Sequence, residues 1–192
     1  LHAFLKHCND TDATIRPEMI SQLIPLLHSN LEDYESTTRE LSCVCLSMVL
    51  GQVSHEIFSQ ICETNKRVFD ILCPRLLESL DDSHDPVRIA ACSALESFIK
   101  LASNSQSSID LELATLENIM SNLLIQLDDP DKDIQASVFN TLSVFVELHT
   151  CGSNVNEEVV VMMKRLISTS LESHRDKTYC SKLLKKVESG SS

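Results

Sequence analysis

Apolar residues recur along the chain at intervals of three and four. Val87, Ala91, Ala94, Leu95, Phe98 and Ala102 form one such series, which lines a single face of a helix. A second apolar series, ending on Leu76, Leu77 and Leu80, precedes it and stops at Asp81-Asp82. The same alternation predicts first helices over 17–29, 65–80 and 109–127, and second helices over 36–50, 86–102 and 132–149. Each pair is separated by an acidic turn. Ser83 and Asp85 read as helix caps, with Pro86 at the first helical position, where its missing N–H costs nothing. Pro25 and Pro74 fall inside first helices at equivalent places and predict a kink in each. Beyond Cys151, Gly152, Ser153 and Asn154, helices are expected over Val159 to Leu171 and Tyr179 to Val187.

These pairs repeat. A shift of 47 carries Leu76, Leu77, Leu80, Asp81 and Asp82 onto Leu123, Leu124, Leu127, Asp128 and Asp129. A shift back of 49 carries Pro74, Leu80, Asp82, Arg88, Cys92 and Leu95 onto Pro25, Leu31, Asp33, Arg39, Cys43 and Leu46. A period of this length with two helices per unit is typical of helical arrays. The element Asp-x-x-x-x-Val-Arg occurs as Asp82…Val87-Arg88, and in looser form as Asp33…Thr38-Arg39 and Asp129…Ile134-Gln135. It resembles the HEAT repeat. The expected fold is all-α: a solenoid of about four HEAT-type helix–turn–helix repeats in a right-handed superhelical stack. The repeats are expected at 17–52, 55–103 and 108–150, with a terminal capping repeat at 155–188. Residues 1–10 read as the end of a truncated preceding repeat, and 189–192 as a flexible tail. The HEAT resemblance implies that the turn aspartate of one repeat bonds the arginine of its neighbour. Asp33, Arg39, Asp82, Arg88, Asp129 and Gln135 would form that ladder, weakened at Gln135 by the loss of the cation.

Composition supports an array and removes other classes. The chain has 192 residues, 3 Gly, 5 Pro and no Trp. So few glycines and prolines disfavour an all-β sandwich. A net charge of −12 disfavours a nucleic-acid binder. No apolar run reaches the ~18 residues of a membrane span. The chain starts on Leu1 without a signal peptide and reads as a piece of a longer protein. Eight cysteines (8, 43, 45, 62, 73, 92, 151 and 180) are scattered without zinc or disulfide spacing, as expected of small apolar residues in a reducing compartment. No phosphate loop, nucleophile elbow or His-Glu-x-x-His is present. The Asp81-Asp82 and Asp128-Asp129-Asp131 clusters lack the glycine and glutamate of a calcium loop. No catalytic residue, metal or cofactor is expected.

Surface remains. Charge divides at the end of the chain: residues 1–163 carry 9 basic and 25 acidic side chains, residues 164–192 carry 7 and 3. The basic members, Lys164, Arg165, Arg175, Lys177, Lys182, Lys185 and Lys186, form a candidate patch for an acidic partner, or the solvated face of a capping helix. On the second helices, positions off the buried stripe superpose in two rows: Cys43, Cys92 and Phe139, then Met48, Ser97 and Val144. These form a candidate partner-binding surface for unfolded clients or an amphipathic helix.

One resemblance is narrower. Leu127-Asp128-Asp129-Pro130, then His174-Arg175, Thr178-Tyr179-Cys180, Leu183-Leu184 and Val187, closely resemble the C-terminal end of HEAT-repeat dynein axonemal assembly factors. That resemblance implies a cytoplasmic, non-enzymatic scaffold acting in dynein arm preassembly for motile cilia. Its implied partners are proteins, namely axonemal dynein chains and chaperone or co-chaperone machinery, with no nucleic acid and no membrane. The alternative is a HEAT-repeat scaffold or transport-receptor fragment unrelated to dynein.

Overall fold

The computed structural model describes residues 16–54, 56–57, 67–103, 112–151 and 155–190. Among them are eight helices and no strand: α1 (Pro17–Asn30), α2 (Ser36–Gln52), α3 (Arg67–Ser79), α4 (Asp85–Ala102), α5 (Leu113–Gln126), α6 (Lys132–Thr150), α7 (Glu157–Ser173) and α8 (Thr178–Gly190). The helices form two compact units, 1–109 and 110–192. The expected fragment at 1–10 lies outside the described residues.

In the first unit, α1 packs on α2 and α3 on α4, and the second helices α2 and α4 share the most extensive contact. The reason is visible in α4. Ten of its eighteen residues are buried, from Val87 to Ala102. At 100° per residue they cover roughly a 200° arc, far wider than a single stripe. One side of that arc meets α3 and the other meets α2. Leu46 and Val49 of α2 and Leu95 and Phe98 of α4 are fully buried.

The second unit closes differently. There α5 packs on α6 and α7, and α8 lies against both α6 and α7. Only Cys180, Leu183 and Val187 of α8 are buried, so most of its circumference faces solvent. At its far end Gly190 sits against Thr150 of α6. A Cβ on Gly190 would lie 2.5 Å from Thr150 Oγ1 and 2.7 Å from its Cβ. This close seat carries the helix through Ser189 and Gly190, which the sequence placed in a flexible tail.

Pro25 and Pro74 both lie within their helices, on exposed faces. Their missing N–H therefore leaves an orphan carbonyl that water can reach. The start of α4 also differs from expectation. The residue preceding it is His84, with no side-chain cap, and Pro86 is inside the first turn. The polar work is done two residues earlier, by Asp82.

Candidate functional site

The turns are built alike in four places. Asp33 Oδ1 accepts from the Glu35 amide at 2.8 Å. Asp82 Oδ1 accepts from His84 at 2.9 Å. Asp129 Oδ1 accepts from Asp131 at 2.8 Å, and Asp176 Oδ1 from Thr178 at 2.9 Å. Each is a carboxylate closing a tight local ring over the following amide, which fixes the backbone entering the second helix. Asp176 stands 47 residues after Asp129, the same interval that separates Asp129 from Asp82. The sequence reading missed this fourth member, although the spacing alone would have found it.

Arg39 ties two of these turns together. Its Nε donates to Asp82 Oδ2 at 2.6 Å and its Nη2 to Asp82 Oδ1 at 2.9 Å. Its Nη1 donates to the carbonyls of Asp33 and Tyr34, at 2.8 and 3.0 Å. Both charged side chains are mostly covered, 14% and 11% exposed. The hydrogen bond from Arg39 holds the Asp82 carboxyl below the ordinary carboxylate value and raises Arg39 in return. A second strap runs beside it, from Arg75 to Glu32. Arg88 donates from Nε to the Leu80 carbonyl at 3.1 Å, and its Nη1 lies 3.6 Å from Asp85.

Gln135, at the position of Arg39, keeps the carbonyl bond and lacks the charge. Its Nε2 donates to the Asp129 carbonyl at 2.6 Å. The cation has moved one helical turn, to Lys132, whose Nζ donates to Gln135 Oε1 at 2.9 Å and lies 3.7 Å from Asp176. The Arg175 amide donates to Asp128 Oδ1 at 3.1 Å, a further link between successive turns.

The proposed rows of apolar surface need correction. Cys43 and Cys92 are 0% and 1% exposed. They belong to the α2–α4 core, where burial pushes both thiols up to about 12. Ser97 is half-buried and shares a 3.1 Å hydrogen bond with Ser47. Met48, Phe139 and Val144 are half-buried. A single-helix wheel treats everything off the main stripe as free. These second helices have neighbours on more than one side, so the flank positions Cys43 and Cys92 are core, while Met48, Ser97, Phe139 and Val144 are partly covered.

The basic residues at the end of the chain divide into two sets. Arg165 donates to Glu117 at 2.7 Å and Lys186 lies 2.5 Å from Glu147, each pinning a late helix to an earlier one. Lys182 instead stands over two rings, 5.8 Å from the Phe139 centroid and 5.6 Å from that of Tyr179. Those rings are 4.7 Å apart at 35°. Arg175, Lys177 and Lys185 are exposed, and Lys164 is half-buried.

Cys180 Sγ is 3.5 Å from His174 Nδ1, but burial raises the thiol to about 11. His149 stacks on Phe145, its Nδ1 2.8 Å from the Phe145 carbonyl, and burial lowers its pKa. The described residues contain no group of three or more His, Cys, Asp or Glu placed to hold a metal ion. No described helix is long and apolar enough to cross a membrane.

Helical hairpins at intervals of 47–49 residues, with aspartate turns bridged from repeat to repeat inside each compact unit, define a HEAT-repeat protein. The chain belongs to that family: residues 17–186 match the stalled ribosome sensor GCN1-like HEAT repeats. Its similarity to particular proteins points elsewhere within HEAT architecture. It is 31% identical over 166 residues to dynein axonemal assembly factor 5 of Mus musculus, and 26% identical over 170 residues to that of Homo sapiens. Each alignment covers 86% of this chain and 17% of the relative, so the chain spans about a sixth of their length. Among solved structures, a designed armadillo repeat protein is 14% identical with a TM-score of 0.39, covering 98% of this chain and 85% of its own.

Proposed function

We propose that the chain is a non-enzymatic protein-binding segment of a cytoplasmic factor that assembles axonemal dynein arms. The observation that carries this reading is the 31% identity to a dynein axonemal assembly factor across 86% of the chain. The geometry is compatible with that role. Turns fixed by Asp33, Asp82, Asp129 and Asp176 hold the second helices at set angles, and such arrays present extended surfaces to protein partners. The units at 17–52, 55–103, 108–150 and 155–188 act as successive repeats of one binding scaffold. Dynein chains and chaperone machinery are the partners.

Affinity capture of the full-length protein from cytoplasmic extract of ciliated cells tests this. Dynein chains, with or without chaperone subunits, are the expected recovery. Recovery of transport cargo or phosphatase subunits, with no dynein chain, overturns it in favour of a scaffold or transport receptor unrelated to dynein.

A further inference from the structure

We propose that the outward edge of α8 is a docking ridge for an acidic peptide segment of a protein partner, one that carries an apolar side chain between its carboxylates. Thr178, Lys182, Lys185 and Ser189 are all exposed and follow one another at intervals of four, three and four. That spacing places them along one side of the helix; the exposed Glu188 lies three residues beyond Lys185, and the Asp176 carboxylate accepts from the Thr178 amide at 2.9 Å. The row is about 16 Å long at 1.5 Å per residue, enough for about five residues of extended peptide. Exposed Lys177 and Arg175 continue the positive charge off its N-terminal end.

Two features separate this row from an ordinary solvated helix face. The first is the ring pair. Lys182 is exposed and stands over Phe139 and Tyr179, both half-buried, so its ammonium has an apolar step beside it. A partner side chain such as leucine or phenylalanine can rest on those rings while a neighbouring carboxylate meets Lys182. The second is charge placement. Arg165 and Lys186 are occupied by Glu117 and Glu147, whereas no ion pair among the described residues involves Lys177, Lys182 or Lys185. The ridge is the basic part of a chain that is otherwise net −16.

That balance also selects the occupant. A long polyanion such as nucleic acid or a membrane surface would meet the acidic remainder of the chain, while a short acidic peptide meets only the ridge. This docking does not require the dynein-assembly role and can fail without it.

The test is fluorescence anisotropy of the 192-residue chain with a labelled peptide, EEDLFEDE, and with EEDSSEDE, which lacks the apolar pair. The first peptide is expected to bind saturably, several-fold more tightly than the second, and to weaken with added salt. Lys182→Glu with Lys185→Glu should weaken it by about tenfold or more. Phe139→Ala should abolish the difference between the peptides. Lys164→Ala, off the ridge, should leave binding unchanged. Circular dichroism verifies that each variant is folded, and Lys182→Ala with Lys185→Ala, a milder pair, stands in if the charge reversal unfolds the chain. Absence of saturable binding, or binding indifferent to the ridge substitutions, overturns the proposal. So does equal competition by oligo(dT) or phosphatidylserine vesicles. Sedimentation showing self-association that the ridge variants abolish overturns it in favour of a second copy.

Discussion

Removing Arg39 should do more damage than a surface charge usually does. The side chain makes four short charge-assisted hydrogen bonds, two to Asp82 and two to the carbonyls of Asp33 and Tyr34, beside a longer 3.4 Å contact with His84 Nδ1. Arg39→Ala deletes all four and leaves the Asp82 carboxylate, 11% exposed, with the His84 amide as its remaining strong donor. Exposed ion pairs are worth under about 1 kcal/mol, but stripping one partner from a mostly covered pair costs several times that. An expected loss of about 3 kcal/mol follows, with Arg39→Lys losing about half because the forked geometry is gone. Asp82→Ala should cost about 2–3 kcal/mol, and the double variant clearly less than the two singles combined. The coupling is the informative quantity, about 2 kcal/mol. Hydrogen exchange of α2 and α4 amides reads it directly, since 3 kcal/mol is roughly a hundredfold in protection. The pH dependence is fixed by the same bond. The folded carboxyl of Asp82 titrates below its unfolded value, so its contribution is complete above about pH 4 and is lost as the pH falls through the lower folded value. Parent and Arg39→Ala should therefore converge in strong acid. A coupling below about 0.5 kcal/mol would refute the strap and reduce Arg39–Asp82 to a solvated surface pair.

Four further outcomes are expected. Leu95→Pro, at a fully buried position in the middle of α4, should cost at least ~3 kcal/mol beyond lost packing and abolish cooperative melting of the first unit; an unchanged circular dichroism melt would contradict the helix packing. Gly190→Ala should lift the last turn of α8 off Thr150, seen as lost amide protection there with little change in the rest of the second unit. Among the described cysteines, alkylation of the native chain at pH 8, mapped by mass spectrometry, should mark Cys151 before Cys43, Cys45, Cys73, Cys92 and Cys180, which stay unmodified until denaturant is added. Because burial lowers the His149 pKa, the second unit should lose stability as the pH falls below about 6.5, and His149→Phe should remove that dependence in an acid titration of the melting midpoint.

The helices were legible because the repeat copies the same apolar spacing into each pair, and the turns because aspartate and helix start recur at a fixed interval. What was not legible depended on neighbours. The wheel for one second helix could not show that Cys43 and Cys92 face each other's helices as core. Gln135 read as a missing rung, and the compensating Lys132 was invisible because it sits one turn away from the aligned position. Asp176 was hidden for the opposite reason: the terminal pair diverges in its apolar residues, so the aligned aspartate lacked company. The basic end read as one patch, whereas Glu117 and Glu147 take Arg165 and Lys186 out of it. Pairing across distant segments leaves no periodic trace in sequence.

The most direct test of the functional account is to deplete the full-length protein from cells building motile cilia and examine the axonemes by electron tomography. Cilia of normal length with dynein arms missing, and dynein chains left unassembled in the cytoplasm, are the predicted result. A full complement of arms and normal beating after complete depletion would contradict it.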